Sequence, residues 1–335
     1  MFGFERAVGS LITLLCAARG VAPLPAPAPS PTVAPIQIAV PPSLARRSTT
    51  LEPSGVVWAA ALDRYLVVSD DTGVAPEHHQ PWVLAMTASG AFDESPVPIL
   101  GIDELNDPES ICAGPDGLFF LTTSHSPNKR GHERKARDML LLLGVEGRAL
   151  RVHGRVDLTT ARASDGSGSL LSIAGVPGDG RLDIEAVTYR EGALLVGLKS
   201  PLTATDGAVV LRVASPVEAL RAGELPRGAV TRRWEVALHG APGGVPEGIA
   251  DLTSLPDGRL AILGNSPKGR AKDGGGSLYW YRPETGALTF VHQWRGFHPE
   301  GVTLAKDGRS LVIVFDANAA PPLWAVWPLP EAGAK

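Results

Sequence analysis

The chain has 335 residues, 44% of them apolar and 20% charged, with a formal net charge of −4. That length supports a sizeable core in one large or two ordinary domains. The charge, without any basic block, excludes the electrostatic footprint of a nucleic-acid binder.

Residues 1–22, "MFGFERAVGSLITLLCAARGVA", read as a signal peptide: Arg6, an apolar run, then small residues at a cleavage point. The expectation is an exported protein, periplasmic or extracellular. The apolar run is shorter than the roughly 20 residues a membrane-spanning helix needs, so no transmembrane span is expected. A lipid anchor on Cys16 is disfavoured, because Leu15 stands where a small residue belongs. With Cys16 removed, Cys112 has no partner for a disulfide. Residues 23–34 are a Pro/Ala-rich linker, a semi-rigid spacer. The folded domain is placed at 35–335.

From there the chain reads as short strands. "PIQIAV" (35–40) comes first, and then a five-residue phrase recurs: "EPSGV" (52–56), "DPESI" (107–111), "DIEAV" (183–187), "VPEGI" (245–249) and "HPEGV" (298–302). Its third column is Ser54, Glu109, Glu185, Glu247 and Glu300. Its fourth column is always small and its fifth always β-branched. A turn such as "PDG" or "KDG" often follows, with Gly supplying positive φ. Then comes a second apolar strand: "YLVVSD", "LFFLTTS", "ALLVGLKS", "LAILGNS" and "LVIVFDA". Two further strands precede each next copy. After the last copy only "LWAVWPLP" remains, and "PIQIAV" can complete its sheet. Four-stranded units on a circle, closed by both chain ends, describe an all-β β-propeller. The repeats give five blades, or six if the insertion at 158–180 conceals one. A monomer is expected.

In a propeller, first strands line the channel, and their starts lie on the same rim as the ends of the second strands. Glu109, Glu185, Glu247 and Glu300 are therefore expected around one mouth, with Glu52 near the fifth place held by Ser54. Four close carboxylates need a cation, protonation or hydrogen-bond donors. Hard oxygen ligands without clustered His or Cys suit calcium first and magnesium second. Such a Glu can equally accept hydrogen bonds from neighbouring amides and lock blades together, and the residue types leave both roles open. The ends of the second strands supply a rim that differs between blades: Asp70, Asp71, His125, Lys199, Asn265 and Asp316, with Arg137 nearby. Variation on a shared frame is what a binding surface for a small or anionic ligand looks like. "GSGSL" (166–170) lacks the second Gly of a nucleophile elbow.

The segments "DIEAVTYREGALLVGLKSPL" and "EGIADLTSLPDGRLAILGNSP" resemble a bacterial propeller family of unknown function, similar to SdiA-regulated proteins and to the esterase-like domain of bacterial phytases. The resemblance spans about residues 50–319. It implies a divalent metal on the inner-strand glutamates Glu109, Glu185, Glu247 and Glu300. Where gluconolactonase-like propellers place a proline after the Glu-Gly pair, this chain has Val302 and Ile249. Two functions follow as expectations: an exported binding propeller holding calcium, or a metal-dependent phosphoesterase, esterase or lactonase. No nucleophile or acid–base pair stands out in the sequence, so catalysis is left open.

Overall fold

The structure is a computed structural model that describes residues 33–330, apart from 49, 71–80, 128–130, 133, 179–180, 242–243, 267–274 and 317–320. The leader, most of the linker and Asp71 lie outside the described residues.

Strand β1 (Ile36–Gln37) and the single turn of α1 (Pro42–Ala45) precede the first repeat. The first unit is β2 (Pro53–Ala59), β3 (Arg64–Ser69), β4 (Trp82–Met86) and β5 (Val97–Leu100). The second is β6 (Pro108–Ala113), β7 (Leu118–Thr123), β8 (Leu140–Glu146) and β9 (Ala149–Val156). A parallel pairing of Ile99 with Leu150 joins β5 to β9, so these two units form one eight-stranded sheet. The insertion that follows contributes helix α2 (Leu170–Ala174) and no strand among the described residues at 158–180. Ser169 caps α2 through its Oγ, which gives "GSGSL" a structural use.

The third sheet is β10 (Asp183–Arg190), β11 (Ala193–Ser200), β12 (Ala208–Ala214) and β13 (Val230–Val236), with α3 (Pro216–Ala222) between the last two. The fourth is β14 (Gly248–Ser254), β15 (Leu260–Asn265), β16 (Gly276–Arg282) and β17 (Ala287–Trp294). The last is β18 (His298–Leu304), β19 (Ser310–Asp316) and β20 (Leu323–Pro328), completed by β1, where Ile36 pairs with Trp324. The first strands β2, β6, β10, β14 and β18 neighbour one another in a closed cycle. This is the radial fold that the repeats predict.

Alternation along each strand builds the core. Phe120, Leu140 and Leu142 face the third sheet, packing with Ile184, Val187 and Val196. Phe119, Leu141 and Leu143 face the first unit, packing with Val57, Leu66 and Val83. Period two therefore feeds an apolar layer on both sides of each sheet, and each such buried side chain is worth about 1.5–3 kcal/mol. The small fourth column is what lets first strands approach backbone to backbone. A Cβ on Gly55 would sit 2.7 Å from the Ser110 Cα, and one on Gly301 would sit 2.7 Å from the Gly55 Cα. No helix among the described residues is long and apolar enough to cross a membrane.

Candidate metal centre

The start of each first strand carries a register break. It falls between Pro53 and Gly55, Pro108 and Ser110, Ile184 and Ala186, and Pro299 and Gly301. In each case the extra residue is the third column of the repeat: Ser54, Glu109, Glu185 or Glu300. A bulge of this kind re-aims a side chain that strict alternation would send elsewhere. In the fourth sheet the break comes later, between Ile249 and Asp251.

That displacement separates Glu247 from the other glutamates. Glu247 precedes β14 and turns back into its own sheet. Its Oε1 accepts from Ser277 Oγ at 2.9 Å and its Oε2 from the Tyr279 hydroxyl at 2.6 Å. The Gly240 amide in turn donates to that hydroxyl oxygen at 2.5 Å. Glu247 is 2% exposed, and burial pushes its carboxyl up to about 7 despite these donors. Glu109, Glu185 and Glu300 thus occupy strand-start bulges, whereas Glu247, expected beside them, is turned into its own sheet.

Asp251 takes the space on the axis, a residue that column-reading missed. It is 1% exposed. Oδ1 accepts from Ser110 Oγ at 2.9 Å, and Oδ2 from the Val302 amide at 2.7 Å. Ser110 Oγ also accepts from the Val187 amide at 3.2 Å. One carboxylate thus ties β14 to β6 and β18, and through Ser110 to β10. This is the blade-locking role considered for the glutamates, carried by a different residue. An acid in the middle of an apolar strand, "GIADLTS", is the signal that could have found it, because such a group survives burial only when paired.

At the mouth, Asp70, Asp107 and Glu109 each offer an oxygen within 4.8 Å of the others, and Glu109, Asp183 and Glu185 do the same. Glu109 belongs to both triads. It is 8% exposed, and no hydrogen bond reaches its carboxylate among the described residues. At that spacing each pair of charges repels by about 3–4 kcal/mol for an effective dielectric near 20. Burial first, then Asp107, Glu185, Asp70 and Asp183, hold the Glu109 carboxyl well above the usual carboxylate range. Burial does the same to Asp70, with Glu52, Asp107, Asp316 and Glu300 adding to it. One Asp70 oxygen, Oδ1, is buried without a hydrogen-bond partner among the described residues.

Two cations answer part of this charge. Lys199 Nζ lies 2.5 Å from Glu185 Oε2 and 3.3 Å from Glu300 Oε2. A register shift on each side of Ile184 places Glu185 and Lys199 opposite one another. Burial works against the ammonium, but Glu185, Glu300 and Asp183 outweigh it and hold Lys199 above the ordinary lysine value. Arg137 pairs with Asp107 and also donates to the Ser126 carbonyl at 2.7 Å and to Ser124 Oγ at 3.2 Å. On the Glu300 side one ammonium is thus shared by two carboxylates. Among the described residues, the Asp70–Asp107–Glu109 triad has the Arg137 guanidinium, held on Asp107.

The remaining rim residues divide. Glu52 and Asp316 lie near enough to act on Asp70. Ser54, in the fifth place, donates to the Glu52 carbonyl at 3.1 Å and accepts from the Asp70 amide at 3.3 Å. His125 is placed on the rim by the sequence but does not face it. Its Nδ1 lies 2.8 Å from the Thr123 carbonyl and its Nε2 accepts from the Leu158 amide at 3.3 Å. Both nitrogens of a buried neutral ring are thereby used, and burial lowers its basicity. Asn265 is likewise structural, donating from Nδ2 to the Pro299 carbonyl at 2.9 Å. With His125 turned away, the two triads are carboxylate only. In calcium sites ligand oxygens lie 2.3–2.6 Å from the ion, so two of them across one ion stand up to about 5 Å apart. The donor chemistry and the spacing both fit a hard cation.

No protein-family model matches the chain, and no curated protein matches it in sequence. Solved structures do match. One comes from the GH130 family of mannoside phosphorylases, a family containing glycoside hydrolases that target β-1,2-mannosidic linkages in Candida mannan; it is 11% identical, with a TM-score of 0.50 over 83% of this chain and 84% of that one. A putative glycoside hydrolase from Parabacteroides distasonis is 11% identical, with a TM-score of 0.49 over 93% and 95%. A glycosyl hydrolase from Bacteroides ovatus is 13% identical, with a TM-score of 0.49 over 86% of each. Identity this low carries the fold and nothing further. Fold and closure together define a β-propeller protein with a carboxylate cluster at one mouth.

Proposed function

We propose that the mouth is a divalent-cation site, calcium by first preference and magnesium by second, and that the cation presents a coordination face to a small or anionic ligand at the rim. The observation that carries this reading is Glu109: nearly buried, shared by two carboxylate triads, and without a hydrogen-bond donor among the described residues. An ion at Glu109 would offset the burial and the neighbouring carboxylates that hold that group above the usual carboxylate range. Asp70, Asp107, Asp183 and Glu185 would supply the other oxygens. Lys199 and Arg137 set the limits of the site by pairing with Glu185, Glu300 and Asp107 at its flanks. The resemblance to SdiA-regulated proteins and phytase esterase-like domains supports a metal on two of these groups, the inner-strand glutamates Glu109 and Glu185. Export through the leader at 1–22 is part of the proposal and is checked by the N-terminal mass of the mature protein.

The test is calorimetric titration of EDTA-stripped protein with calcium and with magnesium, for the wild type and for Glu109→Gln. Saturable calcium binding that Glu109→Gln removes is the expected result. Equal heats for the two proteins, or none for either, would overturn the assignment. Running the same proteins against phosphomonoesters, esters and lactones decides between a binding centre and a hydrolase. EDTA-sensitive turnover lost in Glu109→Gln would make the centre catalytic.

A further inference from the structure

The third sheet presents a second group of charges at its other end. Asp183 and Ser200 mark the acidic mouth, and Arg190 and Ala193 the opposite end of the same hairpin. There Arg190, Arg212 on β12 and Arg233 on β13 line a cavity of about 440 Å³, faced by Pro283 and Glu284 in the turn between β16 and β17. That volume lies within the roughly 300–1,000 Å³ of small-molecule sites.

The three arginines are not equivalent. Arg190 is fully used: Nε meets Glu191 at 3.1 Å, Nη2 meets Glu284 at 2.9 Å, and Nη1 donates to the Gly258 carbonyl at 2.5 Å. Both acids of the cavity are thereby engaged. The Arg233 guanidinium lies over the Trp234 ring, 4.9 Å from its centroid, and the indole meets Tyr281 edge-on at 5.6 Å. Arg212 is half-buried and has no hydrogen bond, ion pair or ring contact among the described residues. A partly desolvated cation without a counter-charge is costly. A guanidinium fork suits the two oxygens of a carboxylate or phosphate. Around it, Leu195, Trp234 and Pro283 give the cavity apolar walls.

The geometry points to a binding site, separate from the acidic mouth, for a small organic oxyanion: a carboxylate or phosphate held by Arg212 and Arg233, with a planar apolar body against Trp234 and Pro283. Titration of the full chain with phenyl phosphate, benzoate and inorganic phosphate tests it, read by tryptophan fluorescence and calorimetry.

One-to-one saturable binding is expected for phenyl phosphate or benzoate, and the better of the two identifies the acid group. Arg212→Gln should weaken it at least tenfold, and the exposed Arg233→Gln severalfold. Glu109→Gln should leave it unchanged, which keeps this site distinguishable from the mouth. If Arg212→Gln does not fold, Arg233→Gln decides alone. Non-saturating titrations, wild-type affinity in the arginine variants, or loss of binding in Glu109→Gln would overturn the site. Inorganic phosphate binding as tightly as phenyl phosphate would overturn the planar body.

Discussion

The third and fourth sheets begin with the same small phrase, a glutamate followed by a small and a β-branched residue, yet the two glutamates do opposite things. Glu185 sits in a bulge, faces the channel mouth and meets Lys199. Glu247 lies before its strand, because the bulge of the fourth sheet is displaced toward Asp251, and it is satisfied by Ser277 and Tyr279. A repeated residue marks a place in the chain; the register of the hairpin decides which way that place points. One glutamate is left in an electrostatic network and the other in a private pocket.

The comparison can be broken at several points. The largest effect is expected from Lys199→Met, which strips the counter-charge from buried Glu185 and Glu300. Losing one partner of a buried pair costs about 3–5 kcal/mol. Urea denaturation should show that loss at neutral pH and a partial recovery as acid protonates the stranded Glu185, which burial already holds above the usual carboxylate range.

Glu247 gives the next effect, with a defined sign. Its folded value, about 7, exceeds the ordinary value near 4.3, so the folded state holds the proton more tightly. The stability this contributes is complete below about pH 4 and is lost as pH rises through about 7. The change is on the order of 3 kcal/mol. Glu247→Gln should remove that slope from a stability–pH profile. An unchanged profile would show that the private pocket is not private.

Calcium sharpens the contrast further. At a hundredfold excess over its Kd the ion should stabilise the wild type by about 2.7 kcal/mol, seen as a rise of several degrees in Tm. Glu109→Gln should lose the rise and Glu247→Gln should keep it. Metal protection that disappeared in both variants would put Glu247 back at the mouth. The smallest effect is expected from Ser277→Ala, which removes one donor to Glu247. A cost of about 1 kcal/mol in thermal denaturation, with calcium binding intact, would match the pocket described.

Much of this architecture is written in the sequence. The recurring phrase, the Gly-bearing turns and the alternating second strands placed the five first strands and the closing role of residues 35–40. Glu109, Glu185 and Glu300 were legible because a strand start fixes depth along the channel. Glu247 was misread because one register slip leaves composition and spacing unchanged. His125 was misread because two backbone groups, at Thr123 and Leu158, claim its ring, and the second is far away in sequence. Asp251 was overlooked because it does not repeat: a single plug on the axis serves several strands at once and needs no copies. The Arg212 cavity was invisible because it is assembled from four strands and a turn of the neighbouring sheet.

The pairing of Ile36 with Trp324 has a consequence for how the protein is made. Strand β1 must wait without its strand partner until β20, at the far end of the ring, has been synthesised. The inner sheets can form progressively during translation, but the circle fastens only once β20 has emerged, so a ribosome stalled before it would hold an open, unfastened ring.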